Sequence, residues 1–255
     1  MTITFYFSVA LLWWLPITGA WVSIEYSAPN RLRSFWYAQE LLTTFADRLD
    51  AVSLVTSNDT PLRVSFQGMV VWETDDFPEP KELKQVVRDL LDPSMDLGHS
   101  DNREPAVVKT TNQVLDLSSE VPEVVDAVVY MKSISTDATE PNVSILYCTG
   151  CRWLLRAAYL GQELLDACSE IRSLTLVPSR KPCRPGSFVI QCSSSEQILW
   201  NRAEAGGFPT TQQAIDLVRE ALRTALAGTE DPVESEGEAF DDDEAEEARR
   251  YFGVM

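Results

Sequence analysis

Histidine is nearly missing from this chain: His99 stands alone among 255 residues. It lies in a polar stretch far from any cysteine, which disfavours Cys-His nucleophilic catalysis and a mixed Cys/His zinc site. Positive charge is also short. Lys and Arg number 21 against 39 Asp and Glu, a formal net charge of −18. That balance excludes the basic footprint that neutralises nucleic-acid phosphates, and it disfavours attraction to anionic membrane. The N-terminal half has no cysteine. The five present are Cys148, Cys151, Cys168, Cys183 and Cys192. An odd count with one tight pair is not the framework of a small secreted disulfide protein, and it fits a reducing compartment.

Long apolar runs are scarce as well. Met1–Trp21 carries no charge and has an apolar core from Phe5 to Pro16, followed by Thr18-Gly19-Ala20, which resembles a signal cleavage site. No Lys or Arg precedes that core, and it is too short and too interrupted by proline for a confident membrane span. The reading is an apolar N-terminal extension over 1–21, with a cytoplasmic protein favoured. The alternative is a signal in residues 1–20 that would send the chain to the secretory pathway. Membrane association is expected only if the segment is retained.

What is present is a dithiol. Tyr147-Cys148-Thr149-Gly150-Cys151-Arg152-Trp153 follows the strand-like run Val143-Ser144-Ile145-Leu146 and opens a helical pattern reaching about Cys168. Two thiols separated by two residues can bond within one turn. A helix N-terminus leaves unpaired N–H groups that stabilise a thiolate. Gly150 suits a tight turn, and Arg152 adds positive charge beside the pair. The competing readings are half of a zinc site, which lacks a second ligand pair, and a chance pair of structural cysteines. Cys168 falls on the buried stripe of the helix, Cys192 ends a strand, and Cys183 reads as an exposed incidental thiol in a basic loop. Asn142-Val143-Ser144 matches a glycosylation sequon but begins a strand, so structure explains it better.

The chain also repeats itself. Val22-Ser23-Ile24-Glu25-Tyr26 matches Val143-Ser144-Ile145-Leu146-Tyr147, and Gln39-Glu40-Leu41-Leu42 matches Gln162-Glu163-Leu164-Leu165. Trp72 corresponds to Trp200, and Phe77-Pro78 to Phe208-Pro209. Each copy reads as strand, helix, strands, helix. In the first, a helix carries Leu32, Phe35, Ala38, Leu41, Leu42, Phe45 and Leu49. Strands are expected at Ala51–Val55, Leu62–Phe66 and Met69–Glu73, and a closing helix over Glu79–Leu91 stops before Asp92-Pro93. In the second, the helix stripe is Leu154, Ala157, Ala158, Gly161, Leu164, Leu165 and Cys168. Strands follow at Leu174–Val177, Ser187–Gln191 and Gln197–Trp200, then a helix over Thr210–Leu226. Residues 97–142 form a linker in which Val124–Tyr130 reads equally as helix or strand. The tail, 229–255, is acidic and self-repelling.

The block from Val143 to Leu164, with Leu199-Trp200-Asn201-Arg202 and Gly206-Gly207-Phe208-Pro209, resembles the selenoprotein W-like, or Rdx, family. Trp72, Phe77-Pro78 and Glu82–Leu90 resemble that family's closing segment. The resemblance implies an α/β (α+β) protein of two thioredoxin-like β-α-β-β-β-α domains in tandem, at 22–96 and 143–228. It implies a thiol-disulfide oxidoreductase acting in cell redox homeostasis, with Cys148 and Cys151 at the two redox positions. The thioredoxin analogy favours Cys148 as the attacking thiol, and the family's selenium position favours Cys151. No bound cofactor is expected. Partners are thiol or disulfide proteins, or glutathione as a co-substrate, with no nucleic acid. The first copy has Ser27-Ala28-Pro29-Asn30 and no cysteine, so chemistry belongs to the second. The alternatives are a non-catalytic interaction or scaffold protein with a vestigial motif, and a structural metal site.

Overall fold

The computed structural model describes residues 19–58, 62–73, 77–98, 124–134, 140–193 and 197–227. The apolar N-terminal stretch, His99, most of the linker and the acidic tail lie outside the described residues, and so do the expectations attached to them.

Runs rich in β-branched and aliphatic residues form the strands, as their period of two requires. The first half runs β1 (Trp21–Ser27), a 3₁₀ turn (Ala28–Asn30), α1 (Arg31–Thr44), β2 (Ala51–Ser57), β3 (Leu62–Phe66), β4 (Met69–Glu73) and α2 (Pro80–Leu91). A short helix, α3 (Ala127–Lys132), leads into the second half. There follow β5 (Asn142–Cys148), α4 (Leu154–Ala167), β6 (Ser173–Ser179), β7 (Phe188–Cys192), β8 (Gln197–Asn201), α5 (Arg202–Ala205) and α6 (Thr211–Ala227). Every expected strand is found within a residue or two of its expected ends. Helix α2 starts on a reciprocal cap, with Glu79 and Glu82 each accepting from the other's backbone, and ends where Asp92 turns extended before Pro93.

All eight strands form one sheet in the order β4-β3-β1-β2-β6-β5-β7-β8. Within each half the first two strands are parallel and the rest antiparallel, the thioredoxin-like arrangement. The halves meet where β2 pairs antiparallel with β6, through Val52↔Leu176, Ser53↔Thr175 and Leu54↔Leu174. Ser53 and Thr175 hold corresponding places in the two copies, since Ser23 pairs with Ser53 as Ser144 pairs with Thr175. A residue facing its own counterpart marks a pseudo-two-fold axis through the sheet. Their buried hydroxyls are 2.9 Å apart. The bulge between Val64 and Ser65 recurs between Ile190 and Gln191, again opposite the tryptophan-bearing strand.

Helices α1, α2, α4 and α6 pack on one face over Val22, Ile24, Tyr26, Val143, Ile145, Tyr147, Leu174 and Leu176. On the other face α3 brings Ala127, Tyr130 and Met131 against Leu146, Val177 and Val189. The linker stretch that read equally as helix or strand does both. Val125 bridges to Cys183 and the helix follows. Asn142 is buried, giving its amide to Ser144 and accepting from Ser173 and Thr175, which accounts for the sequon structurally. Among the described residues no helix is long and apolar enough to cross a membrane.

Two helix-stripe expectations fail: α1 ends at Thr44, so Leu49 is buried but lies beyond the helix, and Leu32 is off the buried face. Leu32 is 67% exposed, and Ser34 and Tyr37 turn inward instead. Helix α1 packs against both its own sheet and α4, so its buried arc is wider than a single stripe.

Gly161 makes that α4 packing close. A Cβ there would meet the Leu174 methyls at 2.8 and 3.2 Å and the Phe35 ring at 3.4 Å. Both neighbours are fully buried, so either must shift within the core to admit a methyl group. Gly161→Ala should therefore lower unfolding stability by about 1–3 kcal/mol, the usual range for overpacking a core. In urea melts Gly150→Ala should leave the midpoint unchanged or slightly raised, because nothing lies within 4 Å of a Cβ there.

Candidate active site

Strand β5 ends on Cys148, and the chain turns before α4 begins at Leu154. The turn is held by Arg152 N–H donating to the Thr149 carbonyl (2.9 Å) and Trp153 N–H donating to the Cys148 carbonyl (3.3 Å). Its left-handed residue is Arg152, at φ +59°, and not Gly150. Cys148 is buried at 4% exposure, whereas Cys151 is exposed. Both thiols are free and hydrogen-bonded to one another.

Burial pushes the Cys148 thiol up, but hydrogen bonds outweigh it. The Cys151 thiol and the backbone N–H groups of Gly186, Cys151 and Gly150 together hold Cys148 below the ordinary thiol range. Cys151 moves the other way, raised first by donating to Cys148 and then by desolvation and its neighbour's charge. Within the pair the inner sulfur is thus the more acidic and the outer one the less acidic. The expected helix-terminus effect is corrected here. The N–H groups that reach Cys148 come from the motif's own turn and from a distant loop, because α4 starts three residues after Cys151.

That distant loop is Arg180–Ser187. Gly186 has φ +78° and donates its N–H to the Cys148 sulfur at 3.3 Å. The backbone conformation there suits glycine. The loop is strapped from outside by the linker: Val125 N–H donates to the Pro182 carbonyl (2.9 Å), and Arg184 N–H donates to the Val125 carbonyl (3.0 Å). Cys183, expected as an exposed thiol, is instead 5% exposed, its thiol within reach of Ser187 Oγ at 3.7 Å, and burial raises it above the usual range. The correction follows from the strap, which covers the loop. Cys168 is buried as expected, and Cys192, which ends β7 as expected, is buried too.

The cation that acts on the pair is Arg202, whose charge pulls Cys151 back down against its other influences. Arg152, the neighbour in sequence, is exposed. Arg202 donates to the Gly186 carbonyl at 3.3 Å, and its guanidinium lies over Trp153 (4.8 Å) and Phe208 (5.2 Å). Phe208 meets Trp153 and Phe188 edge-on and carries Arg156 at 4.2 Å. The Phe-Pro landmark is therefore the hub beneath the dithiol. Sequence reasoning missed the Gly186 N–H and the placement of Arg202. The Pro185-Gly186 turn was the visible signal for the first, and nothing short of the fold carried the second.

Among the described residues no group of three or more His, Cys, Asp or Glu gathers as metal ligands. In the first copy Ser27 occupies the place of Cys148 and the 3₁₀ turn Ala28–Asn30 replaces the cysteine loop, closed by Asn30 donating to Ser27 (2.9 Å).

A strand-to-helix dithiol on a β-α-β-β-β-α sheet defines a thioredoxin-like protein. The Rdx family model matches residues 22–89 and 142–220, more than half of the chain, and this protein belongs to the Rdx family. Among solved structures it is similar to a selenoprotein W-related protein from Vibrio cholerae, at 38% identity over 31% of this chain and 92% of that one, with a TM-score of 0.28. A protein from Bordetella parapertussis is likewise 38% identical over 31% of this chain and 94% of its own, with a TM-score of 0.28. No curated protein matches.

The thiol asymmetry has a measurable consequence. A lowered pKa raises the thiolate fraction at any given pH, so the ultraviolet thiolate absorbance of the folded chain, followed against pH, should show an inflection from Cys148 below the ordinary thiol value of about 8.5. Cys151→Ser replaces the thiol donor and should move that inflection upward. Mass mapping after brief alkylation of the folded chain should find label on Cys151, and on Cys148, Cys168, Cys183 and Cys192 only after unfolding.

Proposed function

We propose that this protein is a thiol-disulfide oxidoreductase whose working group is the Cys148/Cys151 dithiol. The observation that carries the reading is the pairing of a buried, thiolate-forming Cys148 with an exposed, hydrogen-bonded Cys151. Membership of the Rdx family supports the redox character.

Exposure gives the two sulfurs different roles. Cys151 is the one that an incoming disulfide reaches. Its proton passes to Cys148 along their hydrogen bond, and its sulfur attacks, forming a mixed disulfide and releasing the first partner thiolate. That thiolate takes the proton from Cys148. The Cys148 thiolate then attacks the Cys151 sulfur, closing the intramolecular disulfide and releasing the second partner thiolate, which is protonated by water. The dithiol has lost two electrons and the partner disulfide has gained them. Two glutathione thiols return the enzyme to the dithiol and leave as glutathione disulfide. Burial of Cys148 protects the resolving sulfur from outside reagents, while the N–H groups of Gly186 and Gly150 hold its charge. We place this chemistry in the cytoplasm, on the odd cysteine count and the need for reduced thiols.

Oxidation followed by alkylation and mass measurement tests it. The native chain should pass reversibly between a dithiol and a Cys148–Cys151 disulfide. Cys148→Ser should accumulate a mixed disulfide with glutathione on Cys151, and Cys151→Ser should react far more slowly. A mixed disulfide that builds up instead on Cys148 would reverse the roles. Failure to form any reversible disulfide would exclude the activity.

A further inference from the structure

The two copies share more than strands. Aligned through Leu41-Leu42 and Leu164-Leu165, Leu32, Arg33 and Trp36 of α1 correspond to Leu155, Arg156 and Tyr159 of α4. Leu32 and Leu155 are 67% and 69% exposed, and Trp36 and Tyr159 are 44% and 55% exposed. Arg33 lies over Phe77 at 4.7 Å, as Arg156 lies over Phe208 at 4.2 Å. Singly exposed apolar residues need no explanation, but the same exposed pair at the same place in two copies is not scatter.

Packing accounts for these side chains only in part: Trp36 stacks on Tyr37, but Leu32, Leu155 and Tyr159 keep most of their surface in water. Dithiol chemistry does not account for them, because the first copy has no thiol and keeps them. Recognition remains. A leucine and an aromatic one turn apart leave a gap of about 5–6 Å, room for one large apolar side chain. The exposed guanidinium between them is pinned by its phenylalanine and offers a forked donor to a carboxylate. In the second copy this face runs directly into the site, because Phe208 also touches Trp153, two residues beyond Cys151.

We propose that both faces dock an extended polypeptide segment bearing a large apolar side chain beside a carboxylate. The α4 face seats the segment whose cysteine exchanges with Cys151, and so rests on the dithiol function above. The α1 face binds a like segment without chemistry. Arg31 at the start of α1 pairs with Asp166 at the end of α4, so the helices lie antiparallel and the faces sit toward opposite ends, with centres roughly 10 Å apart along the helix axes. The protein is then a bivalent reader of a protein substrate, with one reactive and one silent contact.

Calorimetry on the full chain carrying Cys148→Ser and Cys151→Ser removes covalent capture from the measurement. The probe is a synthetic peptide with Leu-Glu and Phe-Asp pairs in a Gly-Ser frame, and the control is the same frame with the acidic residues alone. Two probe peptides should bind per chain. Leu32→Ser with Trp36→Ser should reduce that to one, and Leu155→Ser with Tyr159→Ser should do the same. In the chain with its thiols intact, the α4 pair of changes should lower kcat/KM for the probe as a mixed disulfide about tenfold relative to bis(2-hydroxyethyl) disulfide, the scale of one lost apolar contact. Probe binding no tighter than control, or insensitivity to the α1 changes, overturns the proposal. So does a chain dimer that the same variants dissociate, which would assign the faces to self-association. Absence of any turnover of the small disulfide would instead sink the dithiol reading, and the binding stoichiometry would still decide the docking faces.

Discussion

Everything in this molecule depends on the pairing of β2 with β6. Each copy alone would end on a strand with a bare row of N–H and C=O groups, a template for aggregation. Paired, the two edges become the middle of an eight-stranded sheet, and β6 is buried along all seven residues. Ser53 facing Thr175 at the axis sets the register. A slip of one residue would turn both hydroxyls and the flanking Leu54, Leu174 and Leu176 to the wrong faces. Asp50 with Arg180, and Arg31 with Asp166, tie the surrounding loops and helices across the same seam. The pairing is local, but it also places α1 against α4 and makes Gly161 necessary.

The individual elements were legible in the sequence because their signals are local. Alternation marks β1 and β5, Phe-Pro announces the closing helices, and Asp92-Pro93 stops α2. The dithiol was legible for the same reason, since its spacing is its chemistry. The β2–β6 seam was not. Ala51-Val52-Ser53-Leu54-Val55 reads as a buried strand whatever it pairs with, and no single-chain period distinguishes a partner within the copy from one across the repeat. Leu32 misled for a related reason. Its position fits the helical stripe, and only the docking of α4 on the neighbouring arc turns it outward.

The site shows the same division between local and distant information. Position at a strand-to-helix turn suggested that α4 would stabilise the thiolate. In the structure the first turn of α4 lies too far along the chain, and the stabilising N–H groups come from Gly150 and Cys151 in the motif's own turn and from Gly186, 38 residues beyond Cys148. That loop is in turn braced by Val125, which precedes the second copy altogether. A segment read as linker therefore belongs to the architecture around the dithiol. Its apolar residues, Ala127, Tyr130 and Met131, cover the sheet face that the helices leave open and share a buried cluster with Cys183.

The first copy explains what the fold asks of the second. It has a 3₁₀ turn where the cysteine loop would be, and its sheet and helices are unaffected, so the thiols contribute nothing that the architecture requires. What it retains beyond the core is the arginine over the phenylalanine and the exposed apolar pair beside it. Chemistry and surface have thus come apart within one chain. Because the two-fold axis puts α1 and α4 side by side and antiparallel, the retained surface does not compete with the reactive one for the same contact. Leu32, 67% exposed at the place of the 69% exposed Leu155, is the part of that surface that the packing of neither copy requires.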